Sequence, residues 1–420
     1  MQSSLNCRPR AIASHPPGKQ LHLRVLGIAL PVLLLPMLGC QAPNASAGAA
    51  ATMKPSTQVV SSRLGEVRVT TIASGLVHPW SVALLPQGGF LVTERPGRLR
   101  RIGADGAVSA PLAGVPAVFA TGQGGLLDVA LAPDFASSRR IYFTYAEPGE
   151  GDTAGTAAAV ATLGERSLEG VKVIYRQVPK VEGSNHFGSR LAFDIMPGDI
   201  RPGGSGGHVF ISQGERQQRM LAQQLGVLQG KLVRLNLDGS VPKDNPFVGR
   251  KDARPEIWSY GHRNMQGLAI DPRTGTLWES EHGPRGGDEI NLPRAGRNYG
   301  WPIITNGIDY SGFPISEAVG TSAPGMEQPY HMWAKSPALS GMAFLVNQPR
   351  SKWNNSLFLG ALADASLIRL TLDGDRVVGE ERLLKEMGAR IRDVRVGPDG
   401  AVYVLTDEDD GKLLRLDPQR

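Results

Sequence analysis

The chain has 420 residues, 45 Lys plus Arg against 39 Asp plus Glu, a net charge of +6, 52 glycines, 31 prolines and 2 cysteines. That length admits one large all-β domain or two to three ordinary ones, and two cysteines exclude a disulfide scaffold. Four of the positive charges (Arg8, Arg10, Lys19, Arg24) fall in the first 40 residues, which hold no acidic residue. The rest therefore carries 6 − 4 = +2, too little to point to nucleic acid.

The first element in the chain is an apolar run, Val25 to Leu38, between that basic segment and the small residues of "MLGCQA". This order is that of a secretory signal over residues 1–40, and the run is too short to span a bilayer. "LGC" resembles a bacterial lipobox, which would make Cys40 the lipid-bearing first residue of a mature protein. Such a protein would sit on the periplasmic side, anchored to the outer membrane through its lipid alone. The alternative is a soluble periplasmic protein cut near "APNASAGAA". Residues 41–62, rich in Ala, Ser, Thr and Pro, read as a flexible tether. Cys7 leaves with the signal, so the mature fold has no disulfide and depends on its core.

From 63 to 420 one pattern returns. A short apolar-alternating run is followed by a Pro/Gly/Asp turn and a second run, as at 82–103, 129–147, 191–215, 268–283 and 394–417. Each reads as a β-hairpin. Hairpins recurring at roughly 40–80 residues suggest an all-β fold, a β-propeller of four-stranded antiparallel sheets in one domain, which six blades of about 60 residues would fit as a six-bladed β-propeller. A pair of β-sandwiches is the alternative. "PGDIRPGGSGG" (197–207) reads as a long loop, 215–224 as a loop or short turn, and 230–247 as a strand and turn within a blade.

Polar residues recur beside these strands. Gln123 stands in "TGQGGLLDVA", His186 in "SNHFGSRLAF", Arg263 and Asn264 in "GHRNMQGLAI", and Arg390 and Arg392 in "ARIRDVRVGPDG". "EHGPRGGDEIN", "NYGWP" and "YHMWAKSP" lie between. In a propeller, such loops converge over the central channel, and stability alone has little use for so many. The bland readings are definite: a lone histidine beside a strand is usually a satisfied structural residue. Arg390 and Arg392, two apart on one face, can be a solvated strand edge. His262, His282 and His331 lack zinc-ligand spacing. Trp301 reads as core, and "GGDEIN" and Asp407-Glu408-Asp409-Asp410 read as solvated acidic turns.

"GQGGLLDVA", "GHRNMQGLA", "EHGPRGGDEINL", "NYGWP" and "RIRDVRVGPDG", in this order over about residues 65–417, resemble the soluble pyrroloquinoline-quinone (PQQ) dependent sugar dehydrogenases, in their bacterial aldose sugar dehydrogenase branch. The resemblance implies a six-bladed propeller that oxidises an aldose at C1 to the lactone, with His186 as general base and electrons passed to an external acceptor. It implies PQQ held by Gln123, Arg263, Asn264, Tyr310, Arg390 and Arg392, guanidinium forks suiting a tricarboxylate. It implies Ca²⁺ at the carbonyls of Gly283 and Pro284, a second Ca²⁺ at Glu289 and the Tyr299 carbonyl, and Tyr330 and Trp333 on the substrate side. Two departures follow. Asn185 stands where relatives have an acidic residue before the base, so a weaker base is expected. Ala363 stands where relatives have a lysine, leaving Lys335 to reach the quinone end. The alternatives are a Ca²⁺-dependent propeller lactonase or other hydrolase, and a non-catalytic binding propeller. The protein is expected as a monomer or homodimer.

Overall fold

The computed structural model describes residues 56–195 and 207–418. The expected signal, Cys40 and most of the 197–207 loop lie outside these residues. The described chain is almost wholly β, in six antiparallel sheets. Blade 1 is Pro79–Leu84, Phe90–Glu94 and Arg98–Ile102; blade 2 spans Leu126–Glu182, blade 3 Gly188–Tyr260, blade 4 Met265–Trp333 and blade 5 Leu339–Leu383. Blade 6 combines Ile391–Val396, Val402–Thr406 and Gly411–Pro418 with two strands from the start of the described chain, Gly65–Leu76 and Thr57–Ser62. Three blades have the expected four strands, blade 1 has three, and blades 2 and 6 carry a fifth. The first strands of successive blades pack in a closed order, and that of blade 6 returns to blade 1. The molecule is a six-bladed β-propeller, its ring closed by pairing Gly65–Leu76 with Gly411–Pro418. The expected tether is corrected at its end. Residues 57–62 pair in register with Gly65–Thr70, because their alternation offers a further edge strand to blade 6.

The turns read from Gly and Pro are where the strands reverse. Between Leu84 and Phe90 the Gly88 N–H donates to Leu85 O and the Leu85 N–H to Gly89 O. Gly89 has φ +80°, and a Cβ there would lie 2.5 Å from Ile102 O, so only glycine fits. Apolar residues fill the space between blades. Leu126, Val129, Ile141 and Phe143 pack against Leu91 and Leu99, and Trp353, Phe358 and Leu345 against Val69, Val402 and Leu414. Truncating fully buried Phe358 to Ala would cost about 3–5 kcal/mol.

Every innermost strand begins with a register shift: at Pro79/Ser81, Leu126/Val129, Gly188/Leu191, Met265/Gly267, Leu339/Met342 and Ile391/Asp393. Bulges re-aim side chains beside functional sites. All six lie at the same end of the ring.

Candidate active site

At that end the hub is floored by buried charge. Arg190 pairs with Asp393 at 2.8 Å and Asp128 at 3.4 Å, Arg395 pairs with both acids, and the Arg190 guanidinium lies 4.0 Å from the Trp80 ring centroid. Above this floor a cavity of about 290 Å³ is lined by Trp80, Arg95, Gln123, Leu127, Phe187, Gly188, Gln266, His282, Tyr310, Ala338, Leu362, Arg390, Arg392 and Asp407. A larger groove of about 900 Å³ runs between the turns at the opposite end, among Leu84, Phe90, Leu131, Phe135 and Tyr403. It holds neither a histidine nor an arginine, so the smaller cavity is the one equipped for chemistry.

His186 precedes the first strand of blade 3 in the left-handed region, φ 54°, an uncommon conformation for a residue with a Cβ. Its N–H donates to Gln123 Oε1 at 2.9 Å, and its Nδ1 lies 2.6 Å from Glu215 Oε2. Glu215 is buried. Burial pushes its carboxyl up, but the facing imidazole and their hydrogen bond bring it below the usual carboxylate range. The Glu215 N–H donates to Arg263 O at 3.0 Å, so one residue ties imidazole and arginine together. The expectation that only a neutral Asn185 would orient this ring is not what the structure shows. Asn185 donates to Gln217 instead, and a carboxylate does face the ring. With Nδ1 engaged, Nε2 is the nitrogen left for chemistry.

Glu215 was missed because it leaves the second strand of its blade. Gly188 pairs with Gln213, and extending that register by two sets His186 opposite Glu215. In four other blades the ladder is extended by a single rung: the Arg95 N–H donates to His78 O, His282 N–H to Asn264 O, Leu362 N–H to Ala338 O and Asp407 N–H to Arg390 O. The residues leading into the inner strands were legible in the sequence; their partners across the ladder were not.

Among the expected residues, Gln123, Tyr310, Arg390 and Arg392 meet in the cavity. Arg392 binds Asp407 Oδ2 through Nε and Nη2 (3.2 and 2.5 Å) and donates to Gln266 Oε1 at 3.2 Å. Asp407 is therefore no solvated turn: it is buried, and Arg392 and Arg95 pull its carboxyl well below the usual range against the upward push of burial. Asn264 Oδ1 accepts from Gly188 N–H and Gln266 Nε2, joining blade 3 to blade 4.

Arg263 faces an adjoining cavity of about 30 Å³, ion-sized, with Glu281, His282, Gly283, Pro284, Glu289, Tyr299 and Trp301 on its walls. Glu279, Glu281, Glu289 and Asn291 crowd here, so "GGDEIN" is no solvated turn either. Asn291 Nδ2 donates to Glu279 at 2.8 Å and Glu289 at 2.9 Å. Burial and then the Glu281 charge push Glu279 well above the carboxylate range and Glu289 to about 8. Glu279 Oε2 and Asn291 Oδ1 are buried without partners. His262 lies beside Glu279 and Glu281, but its Nδ1 is 3.1 Å from Glu281 Oε1 and its Nε2 2.9 Å from Ser259 Oγ.

Three expected residues are not brought in. Tyr330 packs on Trp278 and donates to Asp375 O; Trp333 is buried in the core of blades 4 and 5 and donates to Glu380 Oε2 at 2.9 Å. Both belong to the outer edge of blade 4 and line neither cavity. Exposed Lys335 lines neither cavity.

A histidine paired with a buried carboxylate, beside an arginine-lined cavity at the hub, defines the class in structural terms: a six-bladed propeller with a charged, half-enclosed hub site. The family model described as Glucose / Sorbosone dehydrogenase matches residues 76–415, and the chain belongs to this family and is an oxidoreductase. It is 51% identical over 356 residues to the Aldose sugar dehydrogenase YliI of Escherichia coli K12, covering 84% of this chain and 93% of that one. A structure of a glucose dehydrogenase superposes with a TM-score of 0.80 at 57% identity over 84% of this chain and 99% of the other. The PQQ-bound aldose sugar dehydrogenase of Streptomyces coelicolor does so with 0.67 at 27% identity, over 88% and 100%.

Proposed function

We propose that this chain oxidises aldose sugars at C1 to the lactone, with bound PQQ and Ca²⁺ and an external electron acceptor. The observation that carries the reading is the His186–Glu215 pair, whose imidazole residue directly precedes Phe187 and Gly188 and donates its N–H to Gln123, all three in the wall of the cavity that Arg390 and Arg392 line. The residues fit a planar tricarboxylate: guanidiniums and Gln123 face the cavity, and Arg263 Nε and Asn264 Nδ2 are buried donors without protein partners. Bound there, PQQ would supply the two-electron acceptor and Ca²⁺ a Lewis acid.

The chain's own residues do the rest. His186 Nε2 takes the C1 hydroxyl proton, and such transfer is worth about 10²–10⁴-fold. Glu215 fixes the ring and stabilises the imidazolium. Trp80, Leu127, Phe187 and Leu362 supply apolar wall that excludes water, and Tyr310 offers its ring at the mouth. The carbonyls of Gly283 and Pro284 would hold one Ca²⁺, and Glu289 with the Tyr299 carbonyl the second. Crowded carboxylates with orphaned oxygens suit a hard cation. Export behind a 1–40 signal, with a lipid anchor at Cys40 on the periplasmic side, belongs to the same proposal. Among the described residues no helix is long and apolar enough to cross a membrane.

The test is reconstitution. Apo-protein receives PQQ and Ca²⁺, and reduction of an artificial dye by aldoses is followed. Reduction that needs both additions is the expected result. Lactone hydrolysis without PQQ would instead make the chain a hydrolase, and saturable sugar binding without turnover a binding protein.

A further inference from the structure

Arg95 leaves the second strand of blade 1 as Asp407 leaves that of blade 6, one rung beyond the last ladder pair and across from the residue entering the inner strand, while Glu215 lies one residue further out in blade 3. None of the motifs above includes it. It lines the cavity beside Gln123, Arg390, Arg392 and Asp407. Nη1 donates to Gly122 O at 2.5 Å, steadying the loop that presents Gln123. Nη2 stands 3.8 Å from Asp407 Oδ1, beyond hydrogen-bond reach, and Nε is buried without a partner.

Asp407 has little left to give. Oδ2 takes the Arg392 fork, and Oδ1 lies 3.0 Å from His78 Nδ1. The Arg390 guanidinium donates to a neutral carbonyl, Leu362 O, at 3.2 Å. Three guanidiniums thus face one cavity with one carboxylate among them. Burial, then the charges of Arg392 and Arg390, lower the Arg95 pKa against the pull of Asp407. A surplus of positive charge in a half-enclosed, partly apolar cavity is what an anionic ligand relieves.

We propose that Arg95 is a third anion-binding arginine of this cavity, pairing with a carboxylate of the bound cofactor while it holds the Gln123 loop. The inference rests on the PQQ reading for its ligand, and on the described cavity for its charge.

Trp80, in the cavity wall, gives a binding signal that does not depend on turnover. PQQ is titrated into Ca²⁺-supplemented apo-protein, and quenching is read for wild type, Arg95→Met and Arg95→Lys. Loss of a charge-assisted bond should weaken PQQ binding about 10- to 100-fold in Arg95→Met, with Arg95→Lys between. The melting temperature of apo Arg95→Met should stay at or above wild type, because like charges are relieved. A purely loop-holding role would lower that temperature and leave PQQ affinity within about twofold, which overturns the proposal. If Arg95→Met does not fold, Arg95→Lys decides: it keeps the charge but not the fork, and unchanged affinity overturns the proposal. A second probe, benzene-1,3,5-tricarboxylate, separates the two readings. If wild type ignores PQQ but is stabilised by this anion in an Arg95-dependent way, the cofactor reading falls and Arg95 stands. If wild type binds neither, both fall.

Discussion

Two cavities share His282 as a wall and are opposite in charge. In the wall of the larger, Asp407 faces Arg392 and His78, and beside it Glu215 faces His186. Around the smaller, Glu281 and Glu289 in its wall and Glu279 beside them crowd one another, with His262 3.1 Å from Glu281. Both are made by the same device, a residue leaving a second strand opposite the bulged start of an inner one. Polarity is decided by what the sequence puts there: Arg95, Glu215 and Asp407 around the hub, Glu281 and His282 at blade 4. The larger cavity is thereby rich in guanidinium, the smaller in carboxylate.

The sharpest way to break this contrast is at the base. His186→Ala should reduce turnover by about 10²–10⁴-fold or more while PQQ titration stays near wild type. Loss of binding instead would make His186 a cofactor residue and leave the dyad without its role. Arg392→Met comes next. It strands the buried Asp407 carboxylate, at a cost of about 3–5 kcal/mol. The Asp407 carboxyl, pushed up by burial but held lower by Arg392 and Arg95, contributes stability present above the unfolded carboxylate pKa of about 3.9 and lost as pH falls through its depressed folded value. Arg392→Met should therefore lose stability at neutral pH and flatten the acid limb of the unfolding curve. The double variant Arg392→Met/Asp407→Asn should regain stability but not PQQ affinity. If the single variant melts like wild type, the pair is not organising the cavity. Glu215→Gln follows, with kcat down about 10- to 100-fold, KM little changed, and the acid limb of the pH–rate profile, where the base is protonated, moved to lower pH. An unchanged profile would leave Glu215 a purely structural acid.

How much of this could be read beforehand follows from the geometry. Alternating runs such as "LLDVAL" and "FLVTE" announced their strands, and Gly-Gly announced the turn before Phe90, because period-two burial and left-handed φ are local properties. His186, Arg390 and Arg392 were legible because each sits in a short motif beside such a strand. Glu215 was not: it stands 29 positions from His186 and meets it only through the register of two strands whose connection gives no length signal. Asp407 hid in an acidic run of which only the first member turns inward while Asp409 and Asp410 are exposed. Tyr330 and Trp333 failed for the converse reason, since aromatic residues on an outer strand carry the same local pattern as aromatic residues on a rim.

The smallest expected effect tests the smaller cavity on its own terms. Three carboxylates pressed together destabilise the metal-free fold, and a divalent cation that binds only the folded state stabilises it by mass action. Chelation should lower the melting temperature of the wild type by about 2–5 °C, and Ca²⁺ should restore it. In Glu289→Gln one repelling charge is gone above about pH 8, where this carboxyl ionises without metal, so there the chelated variant should melt at or above the chelated wild type, and Ca²⁺ should raise it by less than half the wild-type shift. The His186–Glu215 pair lies beyond the shared wall, so PQQ quenching in this variant should stay within a few-fold of wild type at saturating Ca²⁺. Equal calcium shifts in both proteins would mean that Glu289 holds no cation, and the contrast between the two cavities would reduce to a difference in burial.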